Sequence, residues 1–395
     1  MKKFFSEYLL LNLFIFGCVS LLSLLILNFS IFDPFTEAFR DFTLTDVYYT
    51  KVQNKNKIYN KNIVLINVEN KSRKEIAFLL QQVQEGNPEV VAFDIIFSGR
   101  KNEDDSLLKQ AFQTHDNYVF GYAADFENEQ TSIYTDTFFT SQKDGYINVA
   151  GEHAEFSTIR YYYPFNKGQE AFTSSILKKF DPAVYQKIKQ KINNQTEIHY
   201  YGSLANFNYF DFYEVLDEGF DVTQLKNKIV LLGYLGIPSQ RADVRLDEDK
   251  LFTPLNARLS GRSYPDMYGL VIHANILRMI LENDHIKVIP KWVTALLSFL
   301  IIWLILPIMG GLFFKGDLWF NSVGTLFQLA GSLLIVFLTL LSYTYLNIKF
   351  DPGLLLACLV LLPTFINLYE ALLNFLKHKL KIPITSAFLV TSKHD

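Results

Sequence analysis

The sequence predicts an α/β extracytoplasmic domain with a mostly parallel sheet, carried by four transmembrane helices, one N-terminal and three C-terminal. Three observations carry that expectation. Half of the 395 residues are hydrophobic, yet the long apolar runs sit at the two ends. Across the middle, short β-branched strands alternate with helical stretches, the pattern of βαβ units. Lys2 and Lys3 precede the first apolar run and Lys377, Lys379 and Lys381 follow the last, which places both ends on the cytoplasmic side.

A bilayer core takes about 20 apolar residues per helix. Tyr8–Asn28 supplies such a run without a charge, and Trp292–Phe314, Phe320–Tyr343 and Gly353–Leu376 supply three more. The chain therefore divides into an anchor at 1–28, an extracytoplasmic domain at 29–290, three transmembrane helices at 291–376 and a cytoplasmic tail at 377–395. Such a protein belongs in a bacterial inner membrane. The basic start also fits a secretory signal peptide, but apolar residues continue well past Cys18, which favours an uncleaved anchor. Cys18 and Cys358 both fall inside predicted spans, so thiolate zinc is not expected in the outer domain, and no metal or cofactor is expected. With 37 basic against 40 acidic residues there is no surplus of positive charge for nucleic acid.

The middle reads in order. Phe35–Tyr49 has helical spacing after Pro34 and predicts a linker helix. Asn62–Val68 is a buried strand, Ser72–Glu85 a helix ended by Gly86-Asn87-Pro88, and Val90–Phe97 a second strand. Asp105–Phe112 predicts a helix and Tyr118–Tyr122 a strand. Short antiparallel strands are expected near Tyr146 and Tyr161, then a helix at Pro182–Lys191 and strands at Ile198–Tyr201 and Lys228–Gly233. Tyr268–Leu281 is an amphipathic helix before the membrane.

Several of these pieces, in this order, resemble the CHASE type 2 family of extracellular sensory domains found beside cyclases and histidine kinases. They are Asn62–Val68, Val90–Phe97 with Asp105 opening the next helix, Lys228–Gly233, Thr253-Pro254 and Gly269–Asn275. The family's layout of one span, outer domain and three spans is the one hydropathy gives here. Two departures stand out. The Trp/Pro/Arg-rich stretch usual after the first strand is replaced by Glu69–Ile76, and few residues follow the last span where a catalytic output domain is usual. The resemblance implies a sensor, not an enzyme, that signals through a separate protein partner in the membrane or cytoplasm.

No phosphate-cradling loop, His-Glu-x-x-His or Gly-x-Ser-x-Gly motif occurs. Asp94 stands at a strand end, the rim where ligands collect in open α/β sheets. Asp105, Asp243 and His273 are expected at the same rim, where carboxylates and an imidazole suit a cation or a polar extracytoplasmic ligand of unknown identity. The plainer reading is that Asp94 caps a turn, Asp105 caps its helix and His273 bonds neighbouring loops. The Tyr161-Tyr162-Tyr163 run and the aromatic cluster Phe207–Tyr213 suit stacking on a sugar or partner, or core filling. Gly233-Tyr-Leu-Gly236 reads as a tight turn, and Glu370 as an interfacial anchor. The alternative to a sensor is a structural docking subunit of a membrane complex. In the tail, Ala387–Val390 is an apolar run that suits addition to a partner's sheet edge, the alternative being a loose chain end.

Overall fold

The computed structural model describes residues 2–28, 44–49, 60–100, 103–149, 158–191, 195–241, 249–256 and 264–389. The chain forms two compact units, one of residues 49–286 and one of 1–48 with 287–395. Most of the predicted linker helix at Phe35–Tyr49 lies outside the described residues, apart from a single turn at Leu44–Val47.

The first unit is built on a six-stranded sheet. Its strands are β1 (Ile63–Asn67), β2 (Val90–Phe93), β3 (Tyr118–Tyr122), β4 (Gly145–Tyr146), β5 (Asn208–Phe210) and β6 (Ile229–Gly233). They lie in the order β4-β3-β2-β6-β1-β5, and every pairing is parallel. Continuous burial of β1, β2 and β6 explains their unbroken Val/Ile/Leu composition, since a parallel strand covered on both faces has no polar side. Val90–Phe97 is shorter as a strand than its apolar length suggests, because β2 ends at Phe93. Ile198–Tyr201 is buried but not a strand; the strand of that region is Thr196–Glu197, antiparallel to Tyr161–Tyr162. Side-chain hydrogen bonds, including one from the Tyr201 N–H to Asn275 Oδ1 at 2.7 Å, fix the stretch beyond it.

Helices flank both faces. After the N-terminal helix α1 (Lys2–Asn28), α2 (Arg73–Glu85) and α3 (Asp105–Gln113) pack over Val64, Ile66, Val91, Phe93, Phe120 and Leu232. Ser72 opens α2 through a capping box with Glu75, so the helix start predicted at Ser72 is its N-cap. The alternate residues of the strands face α4 (Phe172–Phe180) and α6 (Gly269–Leu281), with α5 (Pro182–Lys191) following α4. Close approach on this face requires glycine. A Cβ at Gly145 would lie 2.7 Å from the Phe172 backbone, and one at Gly233 would lie 3.0 Å from Leu270 Cδ1.

In the second unit, α1 is followed by α7 (Lys291–Lys315), α8 (Gly324–Leu346), α9 (Gly353–Val360) and α10 (Leu362–His378). Three stretches, Ser6–Leu24, Lys291–Lys315 and Trp319–Leu346, are long and apolar enough to cross a membrane; α9 and α10, bent by 59°, make a fourth if counted as one span. On α1 the buried residues Tyr8, Leu11, Ile15 and Val19 recur at helical spacing, while Leu9, Leu10, Leu13 and Leu21 face outward. The bend has a physical cause. Pro363 lacks the N–H that would bond the Leu359 carbonyl four residues back, and Gln328 Nε2 donates to Leu359 O at 3.0 Å and Val360 O at 2.8 Å instead.

Candidate functional site

The carboxyl ends of the strands form a rim that is closed at one end and open at the other. At the β1 and β5 end, Asn67 is fully buried and uses its whole amide. Its Nδ2 donates to Asp211 Oδ1 (2.8 Å) and Gly236 O (2.7 Å), and its Oδ1 accepts from Leu235 N (2.9 Å) and Glu69 N (3.1 Å). Arg241 completes the closure with bonds to Leu235 O and the Asp211 carboxylate. Gly233–Gly236 is thus a tied-down turn, with Gly236 at φ +81°. In the Phe207–Tyr213 cluster, which contributes β5, Phe207 and Phe212 fill core while Tyr213 is 66% exposed.

At the β3 and β4 end the rim opens into a cleft of about 680 Å³. One wall is the segment after β3, where Ala123 bridges to Ile133 and the Asn148 amide clasps both backbone groups of Ala124. The opposite wall is Thr158–Tyr163 and the hairpin Phe165–Glu170. Lys167, at the hairpin tip, reaches Phe126 O (2.9 Å) and Glu127 Oε1 (2.6 Å) and staples the two walls together. Aromatic rings share the lining with the charged side chains Asp125, Glu127, Arg160 and Lys167. Phe126 stands edge-on to Tyr146 at 5.0 Å, Tyr146 donates to the Tyr163 carbonyl, and Tyr161 and Tyr163 remain 37% and 39% exposed.

Tyr162 is different from its neighbours. It lines the cleft yet is buried, and its hydroxyl has no hydrogen-bond partner among the described residues. Burial drives the phenols of Tyr162 and Tyr146 well above the usual tyrosine range, with Tyr146 and Tyr122 respectively adding to the effect. Both therefore stay neutral; the Tyr146 O–H is taken by the Tyr163 carbonyl, and the Tyr162 O–H is left as a donor. Asp125 is held low by the Thr131 hydroxyl and by the Asn128 and Glu127 N–H groups, so its carboxylate organises the wall. Arg160 adds a buried guanidinium to the lining. Such a surface stacks on an apolar face and exchanges neutral hydrogen bonds at its edges.

Of the four residues picked from the sequence, the three that are described take separate places. Asp94 is half-buried beyond β2, with Oδ2 3.8 Å from the point where a Gly269 side chain would begin, at the start of α6. Burial, then the nearby Asp249 carboxylate, pushes its pKa up to about 7. Asp105 lies on the other face of the sheet, in a 2.7 Å ion pair with Arg73, whose second nitrogen bonds Ser98 O at 2.8 Å. The N-cap of α3 is Asp104, so Asp105 serves Arg73. His273 lies inside α6, edge-on to Phe172 at 5.2 Å. Burial lowers its pKa to about 4, partly offset by its bond to the Ile147 backbone. Asp243 lies outside the described residues. Sequence reasoning missed Arg160, and it missed Arg73 and Asn67, whose partners Asp105 and Asp211 are remote in sequence; only the tyrosine run gave a local signal.

The chain thus combines a parallel α/β sheet that has a cleft at its carboxyl rim with apolar helices long enough to cross a membrane. The CHASE2 domain model matches residues 13–310, most of the chain, and the protein belongs to the CHASE2 family of sensory domains. No curated protein and no solved structure matches the chain.

Proposed function

We propose that the protein is an inner-membrane sensor whose extracytoplasmic domain takes a small carbohydrate-type ligand in the aromatic cleft. The bound state passes through four transmembrane helices, with both termini cytoplasmic, to a separate signalling partner, and the chain itself performs no catalysis. The observation that carries the reading is the cleft: partly exposed Tyr161 and Tyr163 line it, while Tyr162 supplies a buried hydroxyl with no protein partner among the described residues. Sugars match that combination, because an apolar ring face borders hydroxyls that need hydrogen bonds. The rim position supports it, since open α/β sheets collect ligands at carboxyl strand ends.

The test is calorimetric titration of the purified full chain in nanodiscs with a panel of neutral mono- and disaccharides. Binding by at least one member is expected, abolished in Tyr161→Ala/Tyr163→Ala and weakened about tenfold in Tyr162→Phe, with the melting temperature held. Absence of binding across the panel, or equal binding by the variants, would overturn the cleft reading.

A second reading, a docking subunit, draws on a groove of about 400 Å³ between α2 and α3, where Phe78 and Leu107 are 47% and 40% exposed. Phe78→Lys should then release co-purifying membrane proteins while leaving saccharide binding intact.

A further inference from the structure

In its described part, the apolar run that the sequence offers to a partner is already occupied. Beyond α10 the chain turns at Lys381 (φ +52°) and runs back along the helices of its own unit. Phe388 is 1% exposed. Its ring centroid lies 5.9 Å from Tyr8, 5.8 Å from Phe313, 5.3 Å from Phe314 and 5.9 Å from Tyr369. Tyr8 and Tyr369 meet it nearly edge-on, a favourable arrangement for aromatic quadrupoles. At the lip of this socket, Glu7 takes the Ala387 N–H, with oxygens at 3.1 and 3.2 Å, and the Ser386 hydroxyl accepts from Phe388 N at 3.2 Å. Ile384 and Leu389 pack beside it, half-buried.

We infer that Glu7, Tyr8, Phe313, Phe314 and Tyr369 form a peptide socket whose resident occupant is the chain's own segment Pro383–Leu389, acting as a latch on the helix bundle. The socket draws on three helices, Glu7 and Tyr8 from α1, Phe313 and Phe314 from α7 and Tyr369 from α10, so it is complete only while these helices keep their spacing. Gly310 makes the α1 and α7 approach possible, since a Cβ there would lie 2.5 Å from the Tyr8 hydroxyl oxygen. Recognition is by an aromatic anchor plus a main-chain N–H onto a carboxylate. Any shift of α1 against α7 opens the socket and frees an apolar segment. The latch stands on this geometry alone; its use as a signal output rests on the sensory reading above.

Two measurements on the full chain in native membranes test it, and neither needs a ligand. In a Cys18→Ser/Cys358→Ser background, the pair Glu7→Cys and Ala387→Cys should cross-link within one chain through a short thiol reagent, and Phe388→Ala should cut the yield about tenfold. Benzoylphenylalanine placed at position 388 should photo-couple to peptides of the same chain that contain Tyr8 or Phe313. A cross-link yield indifferent to Phe388→Ala, or photo-adducts confined to a second copy or to other proteins, would overturn the latch and leave the cleft reading standing. Failure of saccharide binding with both cross-links intact would sink the sensory reading and leave the latch.

Discussion

Asp105 and Arg73 illustrate how a charge earns its place in a core. With the Asp105 side chain wholly buried and Arg73 nearly so, each is tolerable only because the other is present, and the Phe139 ring 4.8 Å from the guanidinium completes the enclosure. Asp105→Ala leaves a buried cation without its counter-charge and should destabilise the domain by about 3–5 kcal/mol in chemical denaturation. Asp94 and His273 give opposite pH signatures. Asp94 titrates near 7 in the fold against a carboxylate's ordinary value near 4, so the folded state binds the proton more tightly. Stability from this group falls as pH rises from about 4 to 7 and is flat above that. His273 titrates near 4 in the fold against about 6.5 unfolded, so its contribution is present above 6.5 and is lost on acidification towards 4. Melting temperatures measured from pH 4 to 8 should therefore rise at the alkaline end in Asp94→Asn. In His273→Gln the decline on the acid side should be shallower. Unchanged profiles in both variants would refute the assignments.

At the scale of elements, two contacts decide geometry that composition leaves open. Gly145 lets β4 lie directly against the start of α4; Gly145→Ala must push a methyl into backbone and should cost about 1–3 kcal/mol while loosening the cleft wall built on β4. Circular dichroism melts and saccharide titration of the same variant would report both effects. In the membrane unit, Gln328 supplies the donor that Pro363 withholds at the α9 and α10 bend. Gln328→Leu should lower the unfolding free energy in detergent by about 1–2 kcal/mol, and Gln328→Leu/Pro363→Ala should recover it by restoring the helical bond. No recovery in the double variant would show that the bend does not depend on that carbonyl.

For the whole molecule, the proposed topology predicts that a reporter inserted after residue 150 is active only outside the cytoplasm and one after residue 385 only inside; the reverse pattern would invalidate the sensor's orientation. Much of the architecture was legible in the linear order of residues. Strand cores such as Ile63–Asn67 and Ile229–Gly233 announce themselves, because a doubly covered parallel strand must be continuously apolar. The α2 start was readable because Ser72 and Glu75 form a local capping box. Segments that owe their shape to distant partners were not readable. The β5 strand hides in an aromatic cluster, and Ile198–Tyr201 looks like a strand but is held by Asn275 from α6. Sequence alone determined the class of fold, the order of its main elements and the apolar helices at the two ends of the chain, since burial and periodicity are local properties of the chain. Only tertiary structure decided that Asp105 pairs with Arg73, that the tyrosine run lines a cleft, and that Phe388 turns inward against Tyr8. Each of those is a contact between residues remote in sequence, fixed by packing that no local window contains.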